Sequence, residues 1–259
     1  MVKIFIDPGH GGTDPGAAGN GLQEKNVTLQ IALKIRNFLV NEFEFVSIKM
    51  SRTKDATVSL NERTNTANSW GADFFLSIHI NSGSAEGFES FVYPSVGAKT
   101  IQIQSSIHNE VVAETSWINR GKKKADFHVL RETKMDAVLT ENGFITTKAD
   151  ADKLKSNAFL DKIARGHVEG LAKAFNLSKK EEATKPINNS LYRVIVGSNK
   201  EKAKADKIAK NAESKGFDTY IFKKGSVYVV QIGTFKEKAN ANDLVKKAEK
   251  AGLDASITQ

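Results

Sequence analysis

The strongest constraint in this sequence is a repeat. From Leu191 the segment LYRVIVGSNKEKAKADKIAKNAESKGFDTYI aligns without a gap on VYVVQIGTFKEKANANDLVKKAEKAGLDASI, with an offset of 233 − 197 = 36 residues. Tyr192/Tyr228, Gly197/Gly233, Ala203/Ala239, Ala205/Ala241, Gly216/Gly252 and Asp218/Asp254 are identical pairs. Each copy must fold as the same supersecondary unit and bury its apolar face against the other. Each reads as a strand, a turn at Gly, a helix with apolar positions three and four apart, a Gly stop and a second strand. Two βαβ halves side by side predict a small α+β domain of the ferredoxin-like β-α-β-β-α-β type over residues 190–259.

Ahead of the repeat, Asn176–Ser190 reads NLSKKEEATKPINNS. It is polar, nearly free of large apolar residues and contains Pro186, so residues 177–189 have linker composition. Charge changes across the same point. From Leu177 onward there are 17 Lys+Arg and 10 Asp+Glu, a balance of +7; the first 176 residues carry 38 − 17 = 21 against 30 − 10 = 20, or +1. The tail therefore has either an anionic partner or a lysine-rich solvated surface, and charge alone leaves both open.

Residues 1–176 alternate strands and helices. VKIFI (Val2–Ile6) and FFLSIHI (Phe74–Ile80) are short apolar runs suited to buried strands; Glu89–Tyr93 and Ala137–Thr140 are shorter candidates. Val27, Ile31, Ile35 and Phe38/Leu39 share one face of a helix over Val27–Val40. A second helix opens at Ser59 with Glu62 completing a capping box, and helical patterns follow over Ile101–Glu114 and Ala151–Phe175. This order predicts an α/β domain: a twisted, mostly parallel sheet with helices on both faces. The chain has no cysteine, which excludes disulfides, thiolate zinc sites and a cysteine nucleophile. No apolar run approaches the ~18 residues of a membrane span. The N-terminal run reads as a core strand and not as a signal peptide, so a substrate outside the membrane implies release by lysis or another non-classical route.

Four residues carry chemistry. His10 lies in DPGHGG, just past the first strand; His79 ends the Phe74–Ile80 strand, in SIHIN; Glu24 precedes the first helix; and Glu141 directly follows the apolar AVLT. Ligands of open α/β sheets bind beyond the carboxyl ends of the strands. Three of the four fall at such ends, and Glu24 follows the loop leaving one of them. Two imidazoles and a carboxylate make a catalytic zinc set with a position left for water, and a further carboxylate can take that water's proton. A histidine at a strand end is also a common hydrogen-bonded structural residue, and spacing alone leaves both readings open.

Taken in order, DPGHGG, Glu24 ahead of a helix, Asn61-Glu62-Arg63-Thr64 with Ala67-Asn68, SIHIN and ADFHVLRETKMDAVLTENGF resemble the N-acetylmuramoyl-L-alanine amidase family of zinc enzymes (amidase-3 type). The resemblance runs over about Lys3–Phe175. The tail, with its paired VGS and IGTF turns, resembles the SPOR peptidoglycan-binding repeat. The combination is similar to sporulation amidases that open the mother-cell wall of spore-forming Gram-positive bacteria, with a phage lysin of the same chemistry as the alternative. Residue by residue, the resemblance implies one zinc held by His10, Glu24 and His79, with Glu141 as the catalytic carboxylate. It implies hydrolysis of the amide between N-acetylmuramic acid and the L-Ala of the stem peptide. It also implies a tail that favours glycan stripped of stem peptides. Asn142 departs from the family, which frequently has an apolar residue there.

Weaker candidates surround these. His128, in ADFHVL, is a candidate substrate contact; Asn81 is a candidate support for His79; Arg63 is read as a structural contact on the capped helix. His108, His167, Tyr93 and Trp117 read as packing or surface residues. Peptidoglycan is the expected partner and a monomer the expected state. Nucleic acid is not expected, since the basic tail lacks an RNP-like aromatic motif, and neither is membrane insertion. A zinc wall peptidase or deacetylase is the rival enzyme reading, and a wall-binding protein with an inert α/β domain the non-enzymatic one.

Overall fold

The computed structural model describes residues 1–180, 191–235 and 237–258. The chain divides at Glu181/Glu182 into two compact units.

The first unit runs β1 (Val2–Pro8), β2 (Ala18–Gly19), β3 (Leu22–Gln23), α1 (Glu24–Glu42), β4 (Val46–Met50), α2 (Leu60–Trp70), β5 (Phe74–Asn81), β6 (Phe88–Val92), α3 (Ala98–Thr115), β7 (Asn119–Lys124), α4 (His128–Arg131), β8 (Asp136–Phe144), α5 (Lys148–Leu154) and α6 (Asn157–Phe175). Six strands form one sheet in the order β4-β1-β5-β8-β6-β7. All neighbours pair parallel except β6 with β8. The sheet is therefore mostly parallel, as the alternating pattern predicts.

Both faces are covered, which is why β1 and β5 read as apolar runs with no alternation. Ile4, Ile6, Leu76 and Ile78 meet the apolar stripes of α1, α3 and α6 in the main core. Phe5, Phe75 and Leu139 point the other way, into a smaller cluster with Ala67 of α2 and Val129 and Leu130 of α4. Ser59 caps α2, and Ser59 and Glu62 complete the expected capping box. At its other end Gly71 stops the helix in the left-handed conformation.

Several details differ from the sequence reading, which predicts none of β2, β3, β4 and α4. The first helix begins at Glu24 and not at Val27, so Glu24 is its first residue and its carboxylate sits at the positive end of the helix dipole. The pattern over Ala151–Phe175 is two helices, α5 and α6, because the Ser156 side chain caps a new helix by accepting from Phe159 N. The edge strand β7, Asn119–Lys124, was missed, since NRGKKK has no apolar alternation; lysines on an edge strand discourage pairing with other chains.

The second unit runs β9 (Tyr192–Asn199), α7 (Lys202–Glu213), β10 (Tyr220–Lys224), β11 (Val227–Phe235), α8 (Lys238–Lys250) and β12 (Ser256–Thr258). Its antiparallel sheet has the order β10-β11-β9-β12, the ferredoxin-like arrangement the repeat predicts. Ala205, Ala209, Ala212, Ala241 and Ala248 of the two helices pack on Val194, Val196, Val230 and Ile232 of the central strands. Most of the expected linker, 177–189, lies outside the described residues. Its described part stays on the first unit: Lys180 N donates to Glu42 O at 2.8 Å and Glu44 N to Ser178 O at 2.9 Å. No helix among the described residues is long and apolar enough to cross a membrane.

Candidate active site

The site forms where β1, β5 and β8 end. β1 runs into Pro8-Gly9-His10, and His10 takes φ +59°, a conformation a β-substituted residue adopts only when its surroundings hold it. Two buried arginines do so. Arg63 of α2 donates to His10 O at 2.8 Å, to Pro8 O at 2.8 Å and to Asp7 Oδ1 at 2.6 Å. Arg52 donates to Gly9 O and Lys25 O, each at 2.8 Å, and to Pro8 O at 3.2 Å. Asp7 is fully buried and also accepts from Ser77 Oγ at 2.9 Å, so the Arg63–Asp7 charge pair is anchored to β5.

Glu24 gathers the two histidines. Its Oε1 lies 2.9 Å from His79 Nδ1 and its Oε2 3.1 Å from His10 Nε2. Backbone groups hold the same carboxylate: Ala17 N donates to Oε2 at 2.8 Å and Ile80 N to Oε1 at 2.9 Å. The rings stand nearly perpendicular with centroids 5.0 Å apart. One ligand atom from each of His10, Glu24 and His79 lies within 4.8 Å of the other two. Burial would raise the Glu24 carboxyl, but the His10 and His79 contacts outweigh it and hold the group well below the usual carboxylate range. For His10, burial works against the charge, while Glu24 and Asp14 carry its proton affinity above the ordinary value. Two backbone N–H groups thus fix the Glu24 carboxylate, while its oxygen and the two ring nitrogens are the atoms that a cation could take in place of the ring protons.

Glycine leaves room for these rings. A Cβ on Gly9 would lie 2.3 Å from His79 Cε1, and one on Gly16 would lie 2.6 Å from both Glu24 Oε2 and His10 Cδ2.

Glu141 is the register partner of His79 across the parallel β5–β8 pair, which puts both side chains on one face of the sheet. Its Oε2 is buried without a hydrogen-bond partner among the described residues. Burial, then Glu24 and Glu89, push its carboxyl well above the usual range. A cavity of about 530 Å³ joins Glu141 to His10, His79, Arg63 and His128.

The remaining candidates separate. His128 lines this cavity, and Arg63 both lines it and holds the His10 loop. Asn81 turns elsewhere: its Nδ2 donates to Glu89 Oε1 at 2.7 Å and its Oδ1 accepts from Ser82 N at 2.8 Å. Asn142 is buried, and its Nδ2 donates to His79 O at 3.1 Å and Thr140 Oγ1 at 3.1 Å. Thr140 Oγ1 lies 3.0 Å from His167 Nε2, and His167 Nδ1 lies 2.8 Å from Ile163 O. His108 is likewise buried, between Ser90 Oγ and Asn119 Oδ1. Trp117 is core, with Nε1 donating to Asp150 Oδ1 at 2.9 Å.

Sequence reasoning missed four contributors. Asp14 Oδ2 meets His10 Nδ1 at 2.8 Å; its signal was the i, i+4 spacing within HGGTD. Thr28 Oγ1 donates to Gly9 O at 2.9 Å. Glu89 is buried opposite Glu141 on β6 and receives Asn81, Arg120 and Lys123. For Thr28, Glu89 and Arg52 the sequence holds no signal, because each acts through a long-range contact.

Comparison with known proteins gives the family. Residues 4–173 match the family described as N-acetylmuramoyl-L-alanine amidase, and residues 188–259 match the SPOR domain. A sporulation-specific N-acetylmuramoyl-L-alanine amidase of Bacillus subtilis (strain 168) is 60% identical over 224 residues, 86% of each chain. An endolysin of Bacillus phage SPP1 is 39% identical over 208 residues, 76% of each chain. Among solved structures, an N-acetylmuramoyl-L-alanine amidase from Clostridium difficile 630 superposes with a TM-score of 0.66 at 32% identity, covering 68% of this chain and 97% of its own.

Proposed function

The chain belongs to the N-acetylmuramoyl-L-alanine amidase family and is a peptidoglycan amidase; on that premise we propose that its chemistry is zinc-dependent, with His10, Glu24 and His79 as ligands and Glu141 as the catalytic carboxylate. The observation that carries this reading is the convergence of two imidazoles and a buried, backbone-anchored carboxylate within 4.8 Å, beside a carboxylate oxygen without a partner among the described residues. The donor set fits zinc, with neutral nitrogen and anionic oxygen ligands and no thiolate. Bound there, zinc would act as a Lewis acid and lower the pKa of a water toward ~7.

The chain's own residues supply the rest. Arg63 and Arg52 fix the Pro8–His10 backbone, and Asp14 sets the ring of His10 so that Nε2 faces the ligand cluster. Glu141 accepts the proton of the attacking water and delivers it to the leaving nitrogen as the C–N bond breaks. Its raised proton affinity lets it hold that proton between the two steps. The bond is the amide joining the lactyl group of N-acetylmuramic acid to the L-Ala of the stem peptide.

The SPOR domain tethers the enzyme to its insoluble substrate by binding glycan stripped of stem peptides, which raises the local concentration of the catalytic unit. The sporulation-specific relative supports a role in wall lysis during sporulation. The endolysin relative supports a second setting for the same chemistry, phage release. In either setting the chain works as a monomer, inserts into no membrane and binds no nucleic acid. Digestion of purified wall tests the reading: new alanine amino groups should appear without new reducing ends or acetate, stop with a chelator and return with zinc. Release of reducing ends or acetate instead would replace it with another wall hydrolase.

A further inference from the structure

Another buried polar atom without a partner among the described residues belongs to a residue that lines the cavity. It is Nε2 of His128. The other histidines differ. His108 and His167 have both ring nitrogens in contact with protein acceptors or hydroxyls, as structural histidines do. His10 and His79 each face Glu24. Of the five histidines, only His128 has a buried ring nitrogen with no partner among the described residues.

The short helix that His128 opens is anchored by its other residues. Val129 and Leu130 are buried in the cluster with Leu139 and Phe75, and Arg131 pairs with Asp126 and Glu132 at the other end of α4. A buried ring nitrogen left without a partner is costly, and that cost disappears when a ligand supplies the partner. Within the cavity that ligand is the scissile amide, which has two heteroatoms. Glu141 serves the nitrogen. The carbonyl oxygen remains, and it gains negative charge as the carbon becomes tetrahedral.

We propose that His128 is a catalytic residue that donates its Nε2 hydrogen to the carbonyl oxygen of the scissile amide as the tetrahedral state forms. The proposal rests on the amidase reading of this cavity. The step balances without a net transfer to His128. Water oxygen bonds to the carbonyl carbon and its proton passes to Glu141; the C–N electron pair stays on nitrogen, which takes the proton from Glu141. His128 keeps its hydrogen throughout, and its hydrogen bond strengthens only where charge develops.

The test uses the full chain loaded with zinc and a soluble muropeptide. His128→Ala should lower kcat ~10²–10³-fold, the usual loss for one such donor, with KM within threefold and bound zinc and melting temperature unchanged. His128→Gln, which retains an N–H donor, should recover at least threefold over alanine. Where the alanine variant melts lower, His128→Leu fills the space without a donor and carries the same expectation. A kcat within threefold of wild type, a loss confined to KM, or loss of zinc from the variants would each overturn the proposal. A wild-type enzyme that releases no alanine amino group removes the amidase reading and this inference with it. Wild-type cleavage with unaffected variants removes the inference alone.

Discussion

Asp14 Oδ2 sits 2.8 Å from His10 Nδ1, across the imidazole from Glu24 Oε2, 3.1 Å from Nε2. The ring is thus clamped between two carboxylates, and Asp14 decides which nitrogen faces the ligand cluster. Partners of this kind set ligand orientation and basicity, and losing one typically costs 10–100-fold in metal affinity. Asp14→Ala should therefore weaken zinc binding by about that factor in competition with a chromophoric chelator. Because Asp14 is exposed, the melting temperature of the metal-free protein should hardly move. Unchanged zinc affinity would assign the contact to the loop alone.

Glu141→Gln keeps the shape of the side chain and removes its ability to carry a proton. Turnover of a soluble muropeptide should fall by ~10²–10⁴-fold, while zinc content and substrate affinity stay near wild type. A variant within threefold of wild type would show that another group moves the proton.

Gly9→Ala tests packing rather than chemistry. The added methyl would lie 2.3 Å from His79 Cε1, far inside van der Waals contact. The ring must move, and zinc affinity should drop even though no ligand has been changed. Retention of tight stoichiometric zinc by this variant would mean that the His79 ring has room to move.

His167 makes stability depend on acid. Burial, only partly offset by its contact with Ile163 O, lowers its pKa from 6.5 to about 4. Between these values the unfolded chain binds a proton that the folded one excludes, so stability present above pH ~6.5 is lost as pH falls toward ~4. The full difference is about 3 kcal/mol. Both tryptophans, Trp70 and Trp117, belong to the first unit, so denaturant unfolding followed by tryptophan fluorescence reads this unit. His167→Gln should flatten the decline between pH 7 and 4.5; an unchanged slope would place the acid sensitivity in other groups.

The two units should separate functionally. Residues 1–180 should hydrolyse soluble muropeptides at nearly the full-chain rate but digest intact wall much more slowly, because what is lost is tethering and not chemistry. Residues 190–259 should fold alone and sediment with wall, and glycan recognition should survive salt well above ~0.15 M, where surface charge is screened within ~8 Å. Equal digestion of intact wall by the truncated and full-length proteins would refute a targeting role.

Several features were legible in the sequence because they are local or periodic. The repeat gave the antiparallel topology of the second unit, since two similar βαβ segments have few ways to bury their alanine-rich helix faces. The unalternated apolar runs of β1 and β5 gave a sheet covered on both sides. His10 and His79 announced themselves as polar residues at the ends of such runs, and Ser59 and Glu62 as a cap. The structure decided what depends on distance in space. Glu24 became the hub of the site only when α1 began at that residue and turned its carboxylate toward both rings. Parallel register placed Glu141 beside His79, and an antiparallel neighbour placed Glu89 beside Glu141. Arg52 and Arg63 are ordinary in the sequence; they matter because the sheet brings the carbonyls of Pro8, Gly9 and His10 within reach of buried guanidinium groups. A side chain's type and spacing show what it is able to do, but its partner, its burial and hence its proton affinity are set by residues tens of positions away, and only folding brings those together.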